Sequence, residues 1–438
     1  MFRGENKIIM KPIIAVLYFL YLFSLLCSMA GMELFGWGTF ALVAVIGVYE
    51  YIRYKKNPIP FHPLTKYILV FAVTLIISVV FSPYVSNSEK HMWHYIGRTR
   101  PALLFIFNLI ILERFVSYKS AVKWFSWFLL PLVLIITFMA ASGYDPVRGV
   151  HTFNWDWSFS KGIAGFFVTY MEYANIYELY FFILAAFLLL YKEFKTAHKI
   201  WLWITIIATL FSLMVGGSRA VFLSIPFAFI VQMLVSKNKK VFIYMTLVLI
   251  LGGIAAFSLS PFVRAKARFT VSNIDKFGDI NRYTIWRSHI ALFKDNPITG
   301  AGFEMAGQEH IQSQYFNKIG ISNDYYNSHY RHMVKKAHNM FLDILSGSGV
   351  IGFCAFILLL VAYTIYFWKT LKAITSTGDT YDKVFIIGLA GASATMLSNM
   401  LFDMNLDNLR MVYSIVFVVS LTAHLGLKYG VKTIFTCK

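Results

Sequence analysis

Hydrophobic residues fall along the chain in long, nearly unbroken blocks. Each block is close to the length of about 20 residues that a helix needs to cross the hydrocarbon core of a bilayer. Blocks that are apolar at every position indicate helices rather than the alternating strands of a membrane barrel. The pattern predicts twelve transmembrane helices, over residues 12–31, 34–52, 64–83, 96–113, 120–142, 162–191, 199–217, 220–236, 241–260, 341–368, 383–401 and 411–427.

Lysine and arginine are concentrated in every second connection between these segments. Residues 53–66 hold four of them, and residues 236–240 hold three. Because the connections that face the cytoplasm carry the excess of positive charge, this distribution predicts that both termini are cytoplasmic. Residues 261–337 then form one long connection on the opposite side of the membrane.

The long connection has a periodic pattern of its own. The stretch 282–293 places its large apolar residues near helical spacing, which predicts short amphipathic helices that lie over the membrane face. We therefore expect an all-α polytopic membrane protein in three parts. These are residues 1–260 with helices 1–9, residues 261–338 as the outer loop, and residues 339–438 with helices 10–12.

The composition excludes an ordinary soluble enzyme, because 14% of the 438 residues are charged and 58% are hydrophobic, whereas soluble proteins average about 25% charged residues. The net charge of +19 would suggest a nucleic-acid partner for a soluble protein. In a membrane protein the basic residues must first be assigned to one side of the membrane or the other, and we expect no nucleic-acid partner. Cys27, Cys354 and Cys437 imply no disulfide framework. The sequence has no P-loop, no GxGxxG opening a helix, no HExxH and no GxSxG, which argues against nucleotide-driven chemistry.

A first candidate for chemistry is Arg219, in the segment GGSRA at residues 216–220. This segment forms a very short turn between two apolar blocks, so the arginine is held at the membrane boundary. A planar guanidinium there can bind a phosphate through two hydrogen bonds, and the glycines allow the backbone to approach closely. An interfacial anchor with its stem in the bilayer is the alternative interpretation.

A second candidate lies in residues 281–303. Arg282 and Trp286 share one face of a helix because they are four residues apart, whereas Arg287 points elsewhere. One arginine can therefore face a site while the other is solvated. A basic amphipathic helix that binds anionic lipid is the alternative.

A third candidate is His338, where the long loop re-enters the membrane. An imidazole at this position can take a proton from a substrate hydroxyl near neutral pH. Asn339 and Asp343 are close enough in sequence to orient it. A purely interfacial histidine is the alternative.

Other chemistry has weaker support. The histidines at 310, 329, 332 and 338 match no standard zinc spacing and have no cysteine beside them, so no metal is expected. Glu172 and Glu178 are the best argument for a transporter, because acids within the membrane often mark an ion path. Their separation of six residues puts them on different helix faces.

Arginine side chains at a site without a metal ion suit a reaction in which a lipid diphosphate is the leaving group. Their guanidinium groups can neutralise the negative charge that a divalent ion would otherwise neutralise. A nearby histidine suits activation of an alcohol. The residues together predict transfer from a lipid diphosphate to a hydroxyl at the outer leaflet.

The three segments, in this order, resemble the O-antigen ligase and O-antigen polymerase family of bacterial envelope glycosyltransferases. The resemblance rests on GGSRA at 216–220, RYTIW and NPITGAGF within 282–303, and AHNMFLDILSGSGVIGF at 337–353. The sequence departs from the family pattern at Ala220, where glycine is usual, and at the segment 346–348, where the family usually has an acidic residue before the glycines.

The resemblance implies a GT-C-like, inverting, metal-independent membrane glycosyltransferase in the bacterial inner membrane, without a cofactor and with its active site facing the periplasm. Its donor would be a glycan on undecaprenyl diphosphate, and its acceptor a sugar hydroxyl of lipid A-core, so that the protein would be an O-antigen ligase. Arg219 and Arg282 would bind the diphosphate, with Arg287 as a second candidate, and His338 would be the base, supported by Asn339, Trp286 and Asp343.

Three alternatives remain. An O-antigen polymerase is the nearest, although one long outer loop favours a ligase. Protein O-oligosaccharyltransferases are similar but usually extend further after the last helix. A transporter or flippase would need polar residues along several helices.

Overall fold

The computed structural model describes the backbone of residues 5–55, 62–88, 90–145, 149–155, 163–167, 169–216, 218–272, 280–329, 336–402 and 408–435, and these residues form helices and turns without a strand. The α-helices in chain order are α1 (Glu5–Cys27), α2 (Met29–Tyr54), α3 (Thr65–Val80), α4 (Met92–Gly97), α5 (Pro101–Arg114), α6 (Tyr118–Ser142), α7 (Tyr170–Leu190), α8 (Thr196–Val215), α9 (Arg219–Ser236), α10 (Lys239–Leu259), α11 (Pro261–Ser272), α12 (Ile280–Asp295), α13 (Glu309–Lys318), α14 (Asn323–His329), α15 (Met340–Thr377), α16 (Thr380–Phe402) and α17 (Leu409–Lys428).

Eight stretches of the described residues are long and apolar enough to cross a membrane: Met29–Ile52, Met92–Arg114, Tyr118–Ser142, Met171–Leu190, Thr196–Val215, Met340–Thr377, Thr380–Phe402 and Leu409–Lys428. Four shorter apolar helices occur at Lys11–Cys27, Thr65–Val80, Ala220–Ser236 and Leu249–Leu259. Every one of the twelve segments predicted from the sequence overlaps one of these. The prediction of an all-α, multi-pass membrane protein is confirmed, while the full count of twelve spans, the three-part division and the GT-C-like arrangement stay predictions.

Two predicted segments have different bounds in the structure. The segment predicted from residue 162 begins as a helix only at Tyr170, because the Thr169 hydroxyl accepts the Glu172 N–H at 3.1 Å and caps α7 there. Before it, Gly165 has a φ of +54°, which a right-handed helix does not allow. The segment 96–113 is divided into α4 and α5, and Pro101 opens the second helix.

Helix α16 is, together with α7, among the most buried of the candidate spans and packs along both α7 and α9. Most of its side chains are buried, and many of them are small. At Gly388 a Cβ would lie 2.9 Å from the Cα of Ile183 on α7, so only glycine allows this approach. The last residue of α16, Phe402, therefore has a fixed position relative to α7 and α9.

The four helices α11–α14 confirm the prediction of short helices within residues 261–337. Helix α12 packs on α13 and on α15. A small separate core holds this region together, formed by Ile285, Phe316, Tyr326 and Ala337. Helix α16 ends at Phe402, and α12 packs at the same end of the bundle. We call this end of the bundle the loop end.

Candidate functional site

Arg219 is the first residue of α9, and three residues separate it from Val215, the last residue of α8. The side chain of Ser218 does not cap this helix. The first N–H groups of an α-helix have no partner within the helix and carry partial positive charge, which suits an anion. Gly217 and the side chain of Arg219 lie outside the described part of the structure.

Arg282 and Trp286 lie one turn apart on α12 and reach two different backbone carbonyls. Nη1 of Arg282 donates to the carbonyl of Phe402, the last residue of α16, at 2.8 Å. Nε1 of Trp286 donates to the carbonyl of Ala337 at 2.8 Å. Helix α12 is thereby attached both to the end of α16 and to the segment that carries His338.

Arg287 has different surroundings, although it is next to Trp286. Its side chain is exposed, and its Nη2 donates to the carbonyl of Ile319 at 3.4 Å. Of the two arginines of α12 at positions 282 and 287, Arg282 is therefore the one that contacts α16.

The backbone around His338 is held from two sides. The carboxylate of Asp343 accepts the Ala337 N–H at 2.8 Å, while Trp286 donates to the carbonyl of the same residue. His338 itself has a φ of +51°, which is uncommon for a side chain other than glycine or asparagine. Such a conformation persists only where the surrounding contacts fix it, and it is typical of functional sites. Asp343 thus acts on the backbone that leads into the histidine.

Asn339 connects the His338 segment to the same end of α16 that Arg282 contacts. Its Oδ1 accepts the Leu342 N–H at 3.1 Å and caps α15, and its Nδ2 donates to the carbonyl of Leu401 at 3.1 Å. The carbonyls of Leu401 and Phe402 therefore bind Asn339 and Arg282 respectively. The structure thus brings the second and third predicted segments together at the end of α16.

The two glycine-rich segments of the sequence pair with each other. Residues 297–302 exchange backbone hydrogen bonds with residues 346–351, including Ala301 N–H to the Ser346 carbonyl at 2.9 Å and Val350 N–H to the Pro297 carbonyl at 2.8 Å. Gly349 has a φ of +61° and a ψ of −166°, so α15 is broken there. A Cβ on it would lie 2.2 Å from the carbonyl oxygen of Ile298. Only glycine permits this contact.

His289 is a buried histidine that the sequence did not single out. Its Nδ1 lies 2.7 Å from the Ser346 hydroxyl, and its Nε2 lies 3.4 Å from the Gln312 amide. Burial, together with the nearby charges of Lys336 and His338, lowers the pKa of His289 to about 3. The imidazole is therefore neutral at physiological pH. Through Ser346 it contacts the second turn of α15, the helix that begins two residues after His338.

Glu304 and Arg98 are further charged residues at the loop end. Oε2 of Glu304 lies 3.5 Å from Nε of Arg98, and Glu304 has a φ of +63°. Glu304 also borders a small cavity of about 20 Å³ together with Lys336 and Asp343. The sequence offered one signal for Glu304, namely that it directly follows the NPITGAGF segment.

An apolar cavity of about 140 Å³, which we call the apolar groove, lies between α3, α5, α15, α16 and α17. At the loop end it reaches Arg98, Phe303 and Met340, and it extends along α3 toward Leu64. Met340 is two residues after His338. One end of the apolar groove therefore lies beside the His338 segment, and the groove continues into the membrane-spanning part of the bundle.

Within the described part of the chain, no three His, Cys, Asp or Glu residues lie close enough together to hold a metal ion. His332, one of the histidines considered from the sequence, lies outside that part.

Residues 204–357, roughly a third of the chain, match the family model described as O-Antigen ligase. All three segments of the sequence resemblance fall within this match. The comparison with curated proteins gave no match.

Proposed function

We propose that the chain, whose residues 204–357 match the O-antigen ligase family model, is a member of that family and transfers O-antigen polysaccharide from undecaprenyl diphosphate to a sugar hydroxyl of lipid A-core. One observation carries the proposal. Arg282 and Asn339, which adjoins His338, bind the consecutive carbonyls of Phe402 and Leu401. These contacts bring the Arg282 side chain and the segment that carries His338 to the same end of α16, which supports a site with a cation and a base.

The cations bind the donor's diphosphate. Arg282 is a better candidate than Arg287, because Arg282 adjoins the His338 segment whereas Arg287 is exposed on another face. Arg219 contributes the second guanidinium, at the uncapped start of α9. Two guanidinium groups and a helix N-terminus stabilise the negative charge that grows on the leaving diphosphate.

His338 acts as the general base. Its imidazole takes the proton from the acceptor hydroxyl while the hydroxyl oxygen attacks the anomeric carbon of the donor sugar. The bond from that carbon to the diphosphate oxygen breaks, undecaprenyl diphosphate leaves with both electrons, and the configuration inverts. The hydrogen bonds to Ala337 hold the backbone that carries the imidazole during this step.

The apolar groove receives the hydrocarbon chain of the donor. Its lining is almost entirely apolar, and one of its ends lies beside Arg98 and Met340. A chain seated there places its diphosphate at the loop end, where we assign the arginines. Because the polyprenyl chain enters the groove from the hydrocarbon core of the bilayer, its affinity comes from close van der Waals packing against the lining side chains.

The alternatives differ in how they fit these contacts. A polymerase would use the same donor site with a lipid-linked glycan as acceptor, and a single long loop favours the ligase. A transporter draws its support from Glu172 and Glu178, but Glu172 forms an ion pair with Arg410 at 2.9 Å and Glu178 is hydrogen-bonded to Ser224 and Asn399. Neither acid is therefore an argument for an ion path.

Deletion of the protein from its host tests the proposed reaction. A ligase deletion leaves lipopolysaccharide with core only, while lipid-linked polymer accumulates. Core carrying one repeat unit would instead identify a polymerase. Unaltered lipopolysaccharide would contradict both.

An assay of glycan transfer by the purified protein in EDTA-containing buffer tests the roles assigned to Arg219, Arg282 and His338. We expect Arg219→Ala, Arg282→Ala and His338→Ala each to lower kcat/KM by about 100-fold or more, which is the size of effect found for groups that stabilise transition-state charge or move protons. Arg287→Ala, at an exposed arginine on the same helix, is the matched comparison and should stay within about threefold of wild type. Equal losses in Arg282→Ala and Arg287→Ala would contradict the assignment, and so would a strict requirement for a divalent ion.

A further inference from the structure

Glu178 is a fully buried carboxylate in the middle of α7. It accepts hydrogen bonds from the Ser224 hydroxyl on α9 at 2.5 Å and from the Asn399 amide on α16 at 3.0 Å. An acid inside a membrane bundle is costly, and one that is retained usually serves a function. The catalytic groups assigned above do not include it.

Both partners of Glu178 lie just below the loop end. Ser224 is five residues after Arg219, where α9 begins, and Asn399 is three residues before Phe402, where α16 ends. With a rise of about 1.5 Å per residue, the carboxylate binds each helix roughly 5 to 8 Å below its end. One carboxylate therefore joins the helix that starts at Arg219 to the helix whose last carbonyls bind Arg282 and Asn339.

We propose that Glu178 is a positioning residue that sets the separation between the start of α9 and the end of α16. Through that separation it fixes the distance between Arg219 and Arg282, and so the width of the site that receives the diphosphate. The statement about the diphosphate rests on the proposed function. The statement about the two helices does not.

Gln232 provides a matched control within the same three helices. It lies eight residues after Ser224 on α9, and its Nε2 donates to the carbonyls of Phe182 on α7 at 3.0 Å and of Ile387 on α16 at 3.3 Å. Gln232 thus connects α9, α7 and α16 as Glu178 does, but more than two turns further from the loop end. A general loss of bundle stability would affect variants at both positions, whereas a positioning role belongs to Glu178.

Distance measurement between spin labels tests the geometry without any substrate. Leu223 on α9 and Leu401 on α16 are both exposed, at 54% and 45%, and can be changed to cysteine after the three native cysteines are replaced by serine. We expect Glu178→Ala to broaden the distance distribution or shift its centre, and Gln232→Leu to leave it as in the labelled parent. An unchanged distribution in Glu178→Ala would overturn the proposal, and so would the same broadening in both variants.

Steady-state kinetics tests whether Glu178 affects donor binding at the proposed diphosphate site. We expect Glu178→Ala to lower kcat/KM for the lipid-linked donor by about tenfold or more, since small misplacements of binding groups cost this much, with the KM for the acceptor unchanged. Glu178→Gln, whose amide can still bond both neighbours, should recover most of the loss. Gln232→Leu should stay within about twofold of wild type, as expected for a site remote from the chemistry. Equal kinetic loss in Gln232→Leu would indicate a structural role only.

Two outcomes separate this inference from the proposed function. If the wild-type protein shows no transfer, the proposed function fails, and the spin-label distances still decide the role of Glu178. If Glu178→Ala does not fold, Ser224→Ala, which removes only the bond to α9, replaces it in both experiments. A wild-type distance distribution in Ser224→Ala would then overturn the proposal.

Discussion

At the scale of single residues, His289 shows how a buried polar group supports the candidate site. Its neighbours Ser346 and Gln312 occupy both ring nitrogens, and its pKa is lowered to about 3, first by burial and then by Lys336 and His338. The unfolded chain has the ordinary histidine value near 6.5. Between these two values the unfolded protein binds more protons than the folded one, so stability decreases as the pH falls.

Thermal unfolding at several pH values tests this effect. Wild-type protein should lose stability from about pH 7 to about pH 5, with His289 contributing up to about 1.4 kcal/mol for each pH unit below 6.5. His289→Gln removes the proton-binding group, so its Tm should be lower at pH 7 but should fall less steeply. Parallel curves for the two proteins would contradict a neutral, buried His289.

Sequence reasoning found some residues of this region and missed others for a physical reason. The spacing of Arg282 and Trp286 identified one helix face because an α-helix repeats every 3.6 residues. His289 and Ser346 are 57 residues apart, and no local period connects them. The supporting role of Asp343 for His338 stays a prediction, and the structure adds that its carboxylate accepts the backbone N–H of Ala337.

At the scale of elements, the break in α15 is the feature that local pattern could not predict. The sequence shows glycines near 300 and near 349, but not that their backbones pair, because neither segment has the alternation of a strand. The Ser82 hydroxyl, two residues after the end of α3, also donates to the Ala301 carbonyl, so that the segment following α3 holds the same loop. The pairing fixes the first turns of α15 and with them the His338 segment.

Alanine substitution at the paired glycines tests the importance of this break. Gly349→Ala and Gly300→Ala both add a Cβ at a positive φ and within 2.5 Å of backbone atoms, so each should lower stability by at least about 1–3 kcal/mol and reduce transfer. Gly38→Ala on α2 is the control, because a Cβ there has no other atom within 4 Å, and its stability should be unchanged or slightly higher. Wild-type Tm and transfer in Gly349→Ala would contradict a required break.

At the scale of the whole molecule, the hydrophobic blocks predicted where the helices are but not which helices pack against each other. A block that is apolar on every side has no preferred face, so its partner is decided by close packing and by a few buried polar groups. Gly388 and the Glu178 hydrogen bond to Asn399 hold α16 close against α7. The apolar groove is another consequence of that arrangement, since two distant parts of the chain line it, namely α3 and α5 on one side and α15, α16 and α17 on the other.

Partial filling of the apolar groove tests whether it holds the donor chain. Ala72 on α3 lines the groove and is 9% exposed, whereas its neighbour Val73 is 51% exposed on the outer surface. We expect Ala72→Phe to raise the KM for a donor with the full polyprenyl chain by about tenfold, because the chain loses buried contacts, with a smaller effect for a donor on a short prenyl chain. Val73→Phe adds phenylalanine to the same helix outside the groove and should leave both values near wild type. If Ala72→Phe weakens long-chain and short-chain donors equally, the substitution disturbs the bundle rather than the lipid site, and the groove loses its assignment.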